Sequence, residues 1–425
     1  MNSNSIEQKY LRILETELQP ALGCTEPIAI AYAGAKAREV LGAFPDRVEV
    51  CCSGNIIKNV KGVNVPNSGG MKGVEAAALL GIVGGVAERK LEVLQQVGEK
   101  DIEQVQALLK QNICTCLLKE GVANLYVEMR LFRGDEQACV ILLNQHTNIV
   151  KIEKNGQVLF SANEDEEMDD LEQDKDALNL HDILQFADTV EIEKVRSVLQ
   201  RQVEMNLAIA NEGMEHPYGA QIGRTLQKIY GDQDVHVRAR MMAAAGSDAR
   251  MNGCSMPVVI NSGSGNQGIT ASMPVWVYAQ ELGAGEEKLY RALVVSNLVA
   301  LHQKHYIGRL SAYCGAVSAA AGSAAAVVYL KGGNERQVAA AIVNTLATIS
   351  GMVCDGAKAS CAAKISVAVE TAMISADMAM ADYQFEPGDG LVMDDIEQTV
   401  RGIGRLGRVG MKETDIEILK MMIGA

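Results

Sequence analysis

The sequence predicts an α+β fold in which a mostly helical domain carries an inserted α+β domain with an antiparallel sheet. Runs that alternate apolar and polar residues, as half-buried strands do, occur within residues 46–160. After an acidic segment, strand-like runs nearly vanish and helical patterns continue to residue 380. Aromatic residues make up 4% of the chain and Gly numbers 40, so we expect an aliphatic core with closely approaching helices.

The N-terminal segment predicts two helices. The first covers residues 6–19, where apolar side chains recur at near-helical spacing. The second follows Cys24, because Thr25 is a suitable N-cap and Glu26 and Pro27 suit a first helical turn.

Residues 46–160 have the pattern of an α+β domain. A strand begins at Arg47, where the run RVEVCCSG alternates. Helices are predicted for residues 69–85, which are rich in Gly and Ala, and for residues 101–118. Four further strands follow, and turn residues separate the last three: NLYVEMRLFRG, EQACVILLNQ, NIVKIEKNG and QVLFSAN.

Concentrated negative charge follows the inserted domain. Residues 163–176 contain nine acidic residues and one Lys, which indicates a solvated linker over residues 161–180. The chain that follows predicts helices, so residues 1–45 and 170–425 are expected to form one helical domain. The predicted helices cover residues 190–211, 235–250, 286–303, 311–330, 335–351 and 361–380.

Composition argues against nucleic acid and membranes as partners. The chain has 39 Lys and Arg against 53 Asp and Glu, and its net charge of −14 repels phosphate backbones. The N-terminus lacks the features of a secretory signal, which predicts a cytoplasmic protein with ten reduced cysteines. Residues 311–330 are uncharged but mostly Ala, Gly and Ser, so we expect a buried helix. Ala-rich helices also suit packing between subunits of a homo-oligomer.

Two loops of small residues could hold a ligand. GSGNQG at residues 263–268 matches the dinucleotide pattern, but Pro274 stands where the phosphate-binding helix should continue. A tight turn or a cradle for a small anion, such as an amino-acid carboxylate, fits better. NSGGMKG at residues 67–73 is a similar loop before a predicted helix. The candidate binding residues are Asn67, Ser68, Gly69, Gly70, Lys72, Ser262, Gly263, Ser264, Gly265, Asn266 and Gln267.

Three of the ten cysteines are candidate ligands of an iron–sulfur cluster. No C-x-x-C occurs, which disfavours zinc knuckles and thioredoxin chemistry. Cys314, Cys354 and Cys361 have Gly or Ser close by, and three such thiolates could bind a cluster with one iron left open. Three inert buried thiols would give the same pattern. Cys24 precedes a helix start, where the helix dipole would lower its pKa, although a thiol without a role is equally compatible.

The motifs GCTEP, NSGGMKG, NSGSGNQG, GRLSAYCGA and GMVCDGAKASC, in this order, resemble the iron–sulfur L-cysteine desulfidase family. That family is related to the iron–sulfur L-serine dehydratases through the helical catalytic domain. The resemblance extends from Leu11 to about Met380. It implies a 4Fe–4S cluster bound by three cysteines, which correspond here to Cys314, Cys354 and Cys361. It also implies that Cys24 acts near the substrate as a base and that both small-residue loops line the substrate site.

The resemblance implies β-elimination of L-cysteine to pyruvate, ammonia and hydrogen sulfide. The open iron would act as a soft Lewis acid toward the leaving sulfur, and the chain has no Cys at its end to cover it. Lys72 and Arg309 are candidates for binding the substrate carboxylate. Three alternatives remain: L-serine dehydration on the same cluster, a pyridoxal-phosphate eliminase, and a non-catalytic protein that binds cysteine or senses redox state.

Overall fold

The computed structural model describes residues 3–162 and 166–424. It confirms the predicted α+β fold with a mostly helical part. Two large hydrophobic cores organise this part of the chain, one between helices and one beside a sheet. No helix in these two ranges combines the length and the apolar character that crossing a bilayer requires.

The N-terminal elements connect the two cores. Helix α1 (Ser3–Glu17) packs in the helical core, strand β1 (Pro20–Leu22) follows it, and helix α2 (Thr25–Leu41) packs in the core beside the sheet. The predicted cap is wrong by one residue, because Cys24 is the N-cap of α2 and its backbone is extended, with φ −82° and ψ 131°. Assignment of residues 1–45 to the helical domain therefore stays a prediction.

The sheet region contains six strands in the order β3-β2-β4-β5-β6-β7. Its elements are β2 (Arg47–Cys52), α3 (Gly54–Lys61), α4 (Val74–Gly84), α5 (Glu99–Lys110), β3 (Cys114–Leu118), β4 (Tyr126–Arg133), β5 (Glu136–Leu143), β6 (Ile149–Lys154) and β7 (Gln157–Ser161). A short 3₁₀ helix, Ala87–Glu92, follows α4. Neighbouring strands are antiparallel except β2 and β3, which are parallel. The prediction of one helix over residues 101–118 is therefore wrong beyond Lys110.

The remaining chain is almost entirely helical. Its elements are α6 (Glu166–Lys175), α7 (Leu180–Thr189), α8 (Ile192–Glu215), α9 (Ile222–Tyr230), α10 (Val235–Met251), β8 (Pro257–Val259), α11 (Gly265–Glu281), α12 (Glu286–Ile307), α13 (Gly315–Leu330), α14 (Glu335–Ile349), α15 (Cys361–Met380), α16 (Ile396–Arg405) and α17 (Lys412–Ile423). A π-helical turn, Leu406–Gly410, lies between the last two helices. Gly322 shows how closely they pack, because a Cβ there would collide with the Ser296 carbonyl oxygen of α12.

Helix α11 corrects the interpretation of the GSGNQG loop. The helix starts at Gly265 and continues through Pro274, which is buried, so packing on its neighbours outweighs the lost backbone hydrogen bond. The preceding strand β8 has three residues and pairs antiparallel with β1. A dinucleotide-binding fold needs a parallel sheet at this position, and the two-stranded sheet formed by β1 and β8 does not supply one.

The acidic segment is attached to the helical domain where the structure describes it. Residues 163–165 lie outside the described residues, and α6 occupies half of the predicted linker. Asp174 forms ion pairs with Lys9 and Arg12 of α1 at 3.8 and 3.1 Å. Lys175 lies 2.6 Å from the buried carboxylate of Glu17. This part of the segment is therefore a docked helix and not a solvated linker.

Candidate active site

A cavity of about 110 Å³ lies where the starts of four helices meet. Cys24, Ser264 and Cys314 are the N-caps of α2, α11 and α13, and Cys361 is the first residue of α15; all four residues line the cavity. Each helix start carries unpaired N–H groups and about half a positive charge. Four of them around one space favour an anionic occupant.

The structure brings the three predicted cluster cysteines to this cavity. A β-bridge between Tyr313 and Val353 joins two of their segments. Within it, the Cys314 N–H donates to the Met352 carbonyl at 3.1 Å and the Cys354 N–H donates to the Ala312 carbonyl at 2.6 Å. The third thiol, Cys361, lies 3.7 Å from the Gly356 carbonyl oxygen.

Burial, followed by the charges of Cys354 and Cys361, raises the pKa of the Cys314 thiol to about 12. In the described residues, no three His, Cys, Asp or Glu side chains are close enough to hold a single metal ion. A four-iron cluster takes each thiolate on a different iron, so its ligands stand further apart than those of one ion. Three thiols around one cavity, two of them at helix starts that favour negative charge, fit such a cluster.

Two lysines also line the cavity. Burial lowers the pKa of Lys304 to about 8, although Cys354 and Cys314 oppose this effect. The Lys304 ammonium donates to the Arg309 carbonyl at 3.3 Å. Lys364 donates to the Val353 carbonyl at 2.9 Å. Lys364 also forms an ion pair with Asp355, so Lys304 is the lysine left to offset the negative charge of thiolates or of a bound anion.

Cys24 lies in a network of hydrogen bonds around Glu26. The Cys24 thiol and the Thr25 hydroxyl each lie 3.1 Å from Glu26 Oε2, and Asn59 Nδ2 donates to Oε1 at 3.0 Å. His146 Nε2 lies 3.9 Å from the same Oε1. Glu26 is thus a buried carboxylate whose two oxygens are both used by protein groups.

These contacts fix the protonation of the pair. Burial opposes ionisation of Glu26, but His146 and the Cys24 thiol outweigh it and hold the pKa of Glu26 at about 2. Burial, followed by the charge of Glu26, raises the pKa of Cys24 well above its usual range, while Arg250 acts in the opposite direction. The prediction that the helix start lowers the pKa of Cys24 is therefore wrong, and the resting pair is a thiol donating to a carboxylate.

The loop of residues 262–267 forms one wall of the cavity. All of its residues except Gly265 line the cavity directly. Ser262 and Gly263 have left-handed backbones, with φ 50° and 75°, and the Gly263 carbonyl accepts the Thr25 hydroxyl at 2.8 Å. Side-chain oxygens of Asn266 and Gln267 are buried without a hydrogen-bond partner among the described residues. This wall therefore offers unpaired polar groups to a ligand.

The second predicted loop does not line the cavity. Asn67 donates to the Leu94 carbonyl at 3.0 Å, and Ser68 donates to the Met71 carbonyl at 3.2 Å. Gly69, Gly70 and Lys72 are exposed. Pro66, the residue before this loop, packs next to the site. Its ring leaves no room for a Cβ at Gly23, which precedes Cys24. Direct binding of substrate by this loop stays a prediction that the geometry does not support.

Arg309 lines the cavity, but its charge is already paired. Arg309 Nη2 donates to Glu17 Oε1 at 2.7 Å. Burial opposes ionisation of Glu17, and the charges of Arg309 and Lys175 outweigh it and lower the pKa of that carboxyl. Arg309 also lines a groove of about 850 Å³, so it stands where the cavity adjoins that larger opening.

Several cavity residues were missed from the sequence. His146 comes from the turn between β5 and β6, so its place depends on how the sheet docks onto the helices. The sequence did carry a signal for two others, since Glu26 belongs to the GCTEP motif and Arg250 is a charged residue at the end of the small-residue run of α10. The missed residues are Glu26, Asn59, His146, Arg250, Lys304 and Lys364.

Comparison with known proteins shows to which family the chain belongs. Residues 88–420 match the family model described as serine dehydratase alpha chain. The chain belongs to the serine dehydratase alpha chain family. This membership confirms the predicted relation to the serine dehydratases, and a lyase is the class of enzyme that the family suggests. The family is generally associated with iron–sulfur clusters.

Similar chains match from end to end. A UPF0597 protein of Lachnoclostridium phytofermentans is 52% identical over 416 residues, which cover 98% of this chain and 99% of that protein. A UPF0597 protein of Desulfitobacterium hafniense is 51% identical over 416 residues, covering 98% and 96%. One of Treponema denticola is 48% identical over 429 residues, covering 99% and 98%.

Proposed function

We propose that the protein is an L-cysteine desulfidase, which converts L-cysteine to pyruvate, ammonia and hydrogen sulfide by β-elimination. The observation that carries the proposal is the common cavity of Cys24, Cys314, Cys354 and Cys361 at the starts of four helices.

In this proposal, Cys314, Cys354 and Cys361 hold a 4Fe–4S cluster. When bound, the cluster supplies an iron without a protein ligand, a soft Lewis acid suited to the sulfur of the substrate. The cation of Lys304 and the helix starts of α13 and α15 balance the negative charge of the thiolates.

Cys24 is the proposed proton acceptor. Its raised pKa makes the thiolate a strong base, and the thiol must lose its proton before it can take one from the substrate Cα. Arg250 is the neighbouring charge that favours this loss. The electron pair left at Cα forms the Cα=Cβ bond, and the Cβ–S bond breaks. The resulting aminoacrylate hydrolyses to pyruvate and ammonia.

L-Serine is the second candidate substrate, and the family model favours it. The match to the serine dehydratase alpha chain covers residues 88–420, which include the three cluster cysteines. The same residues would serve both reactions, because the two substrates differ only in the leaving atom. A soft iron favours sulfur over oxygen, so we expect L-cysteine to be the better substrate.

The test is anaerobic reconstitution with iron and sulfide, followed by pyruvate assays with L-cysteine and L-serine side by side. We expect a higher kcat/KM for L-cysteine; a higher value for L-serine would reassign the substrate, and no pyruvate from either would refute the proposal. Cys361→Ala should lose the brown chromophore, whereas Cys139→Ala on β5 should retain it as a matched control. Full iron content in Cys361→Ala would refute the ligand set.

The base assignment has its own variant. Cys24→Ala should keep the chromophore and lose roughly 10²- to 10⁴-fold in kcat, the usual contribution of a general base. Near-normal pyruvate formation by this variant would remove Cys24 from the mechanism and leave the cluster assignment intact.

A further inference from the structure

Arg250 is a buried cation without a partner. It is the last residue but one of α10, only 2% of it is exposed, and it lines the cavity. Its guanidinium makes no hydrogen bond or ion pair within residues 3–162 and 166–424, and its Nε atom is fully buried. A buried charge of this kind is costly unless something pairs with it.

The nearby carboxylates do not fill that role. Glu26 lines the same cavity, but its two oxygens accept from the Cys24 thiol and the Asn59 amide. Asp248, two residues before Arg250, accepts the Gly223 N–H of α9 at 3.1 Å. The positive charge of Arg250 is therefore left for a group that enters the cavity.

The cavity wall beside Arg250, at the start of α11, has features that favour an anion. Gly265, the first residue of α11, leaves room for the guanidinium, because a Cβ there would collide with Arg250 Nε. Ser264, the N-cap, makes no side-chain hydrogen bond to the first turn. The start of α11 and the fork of Arg250 thus lie side by side at the cavity, and both favour a carboxylate.

We propose that Arg250, together with the first turn of α11, binds the α-carboxylate of the substrate. The inference rests on the proposed function and deepens it, since it makes a free carboxylate the feature by which the site selects amino acids. Arg309 is paired with Glu17, so in this proposal Arg250 replaces Arg309 as the residue that binds the substrate carboxylate.

The test uses the reconstituted protein and two ligands that cannot undergo elimination. L-Alanine has no leaving group at Cβ, and ethylamine is the same molecule without its carboxylate. Calorimetric titration should show that Arg250→Gln weakens L-alanine binding roughly 10- to 100-fold, the loss expected for a charged hydrogen-bonded pair, without changing ethylamine binding. Arg336→Gln, an exposed arginine on α14, is the matched control.

Each outcome decides the point. Binding of L-alanine to Arg250→Gln within about twofold of the unaltered protein would overturn the inference while leaving the desulfidase proposal intact. If the unaltered protein makes pyruvate from neither amino acid and does not bind L-alanine, both proposals fall together. Arg250→Lys, which keeps the charge and loses the fork, should bind L-alanine with intermediate affinity.

Thermal melting separates this role from a structural one. Since no group in the described residues pairs with Arg250, Arg250→Gln should melt at the same temperature or higher. A clear fall in melting temperature would mean that the guanidinium supports the fold, and it would overturn the inference.

Discussion

Asp248 couples the stability of the helical core to pH. The residue is completely buried, one carboxylate oxygen accepts the Gly223 N–H at 3.1 Å, and the other has no partner. Burial raises the pKa of Asp248 from 3.8 to about 6. Because the folded protein binds this proton more tightly than the unfolded chain, stability falls as pH rises from about 4 to about 6 and stays reduced above that range.

Asp248→Asn removes the charge and keeps the shape of the side chain. The difference between the two pKa values corresponds to at most about 3 kcal/mol at pH 8, or on the order of 5 °C in melting temperature. Near pH 4 both states hold the proton, so the variant should lose this advantage. The assay is thermal melting of both proteins at pH 4, 6 and 8. An equal difference in melting temperature at all three values would refute the reasoning.

Two further predictions concern packing and charge. Glu17→Gln leaves Lys175 and Arg309 without their shared carboxylate, so urea denaturation should show a loss of roughly 3–5 kcal/mol; a loss below about 1 kcal/mol would mean that the two cations find other acceptors. Gly322→Ala should lower the melting temperature, because its Cβ would collide with α12, whereas Gly351→Ala, after α14, has open space around it and should not; equal effects would refute the close-packing argument.

The helices were predictable because their signals are local. Long apolar runs in segments such as 286–303 and 361–380 correspond to α12 and α15 within a few residues. The errors occur where tertiary packing overrides a local preference. Pro274 is held inside α11 by its neighbours, and Cys114–Leu118 forms a strand because β2 offers a free edge.

The site was predictable in part. The cysteines stood out through the small residues around them, and the structure brings all three to one cavity. His146 was not predictable, because it reaches the cavity only after the turn between β5 and β6 docks on the helices. The loop of residues 67–73 resembles a ligand cradle in sequence, yet its side chains donate to the backbone carbonyls of Leu94 and Met71.

The meeting of four helix starts has a consequence for assembly. Asn59 and His146 reach the cavity from the sheet side, while Arg250, Lys304 and Lys364 reach it from the helical side. The boundary between the two halves therefore carries a surplus of positive potential when nothing negative is bound. An anion bound in the cavity therefore stabilises the boundary between the two halves. When no anion is bound, we expect the two halves to separate at this boundary first during unfolding.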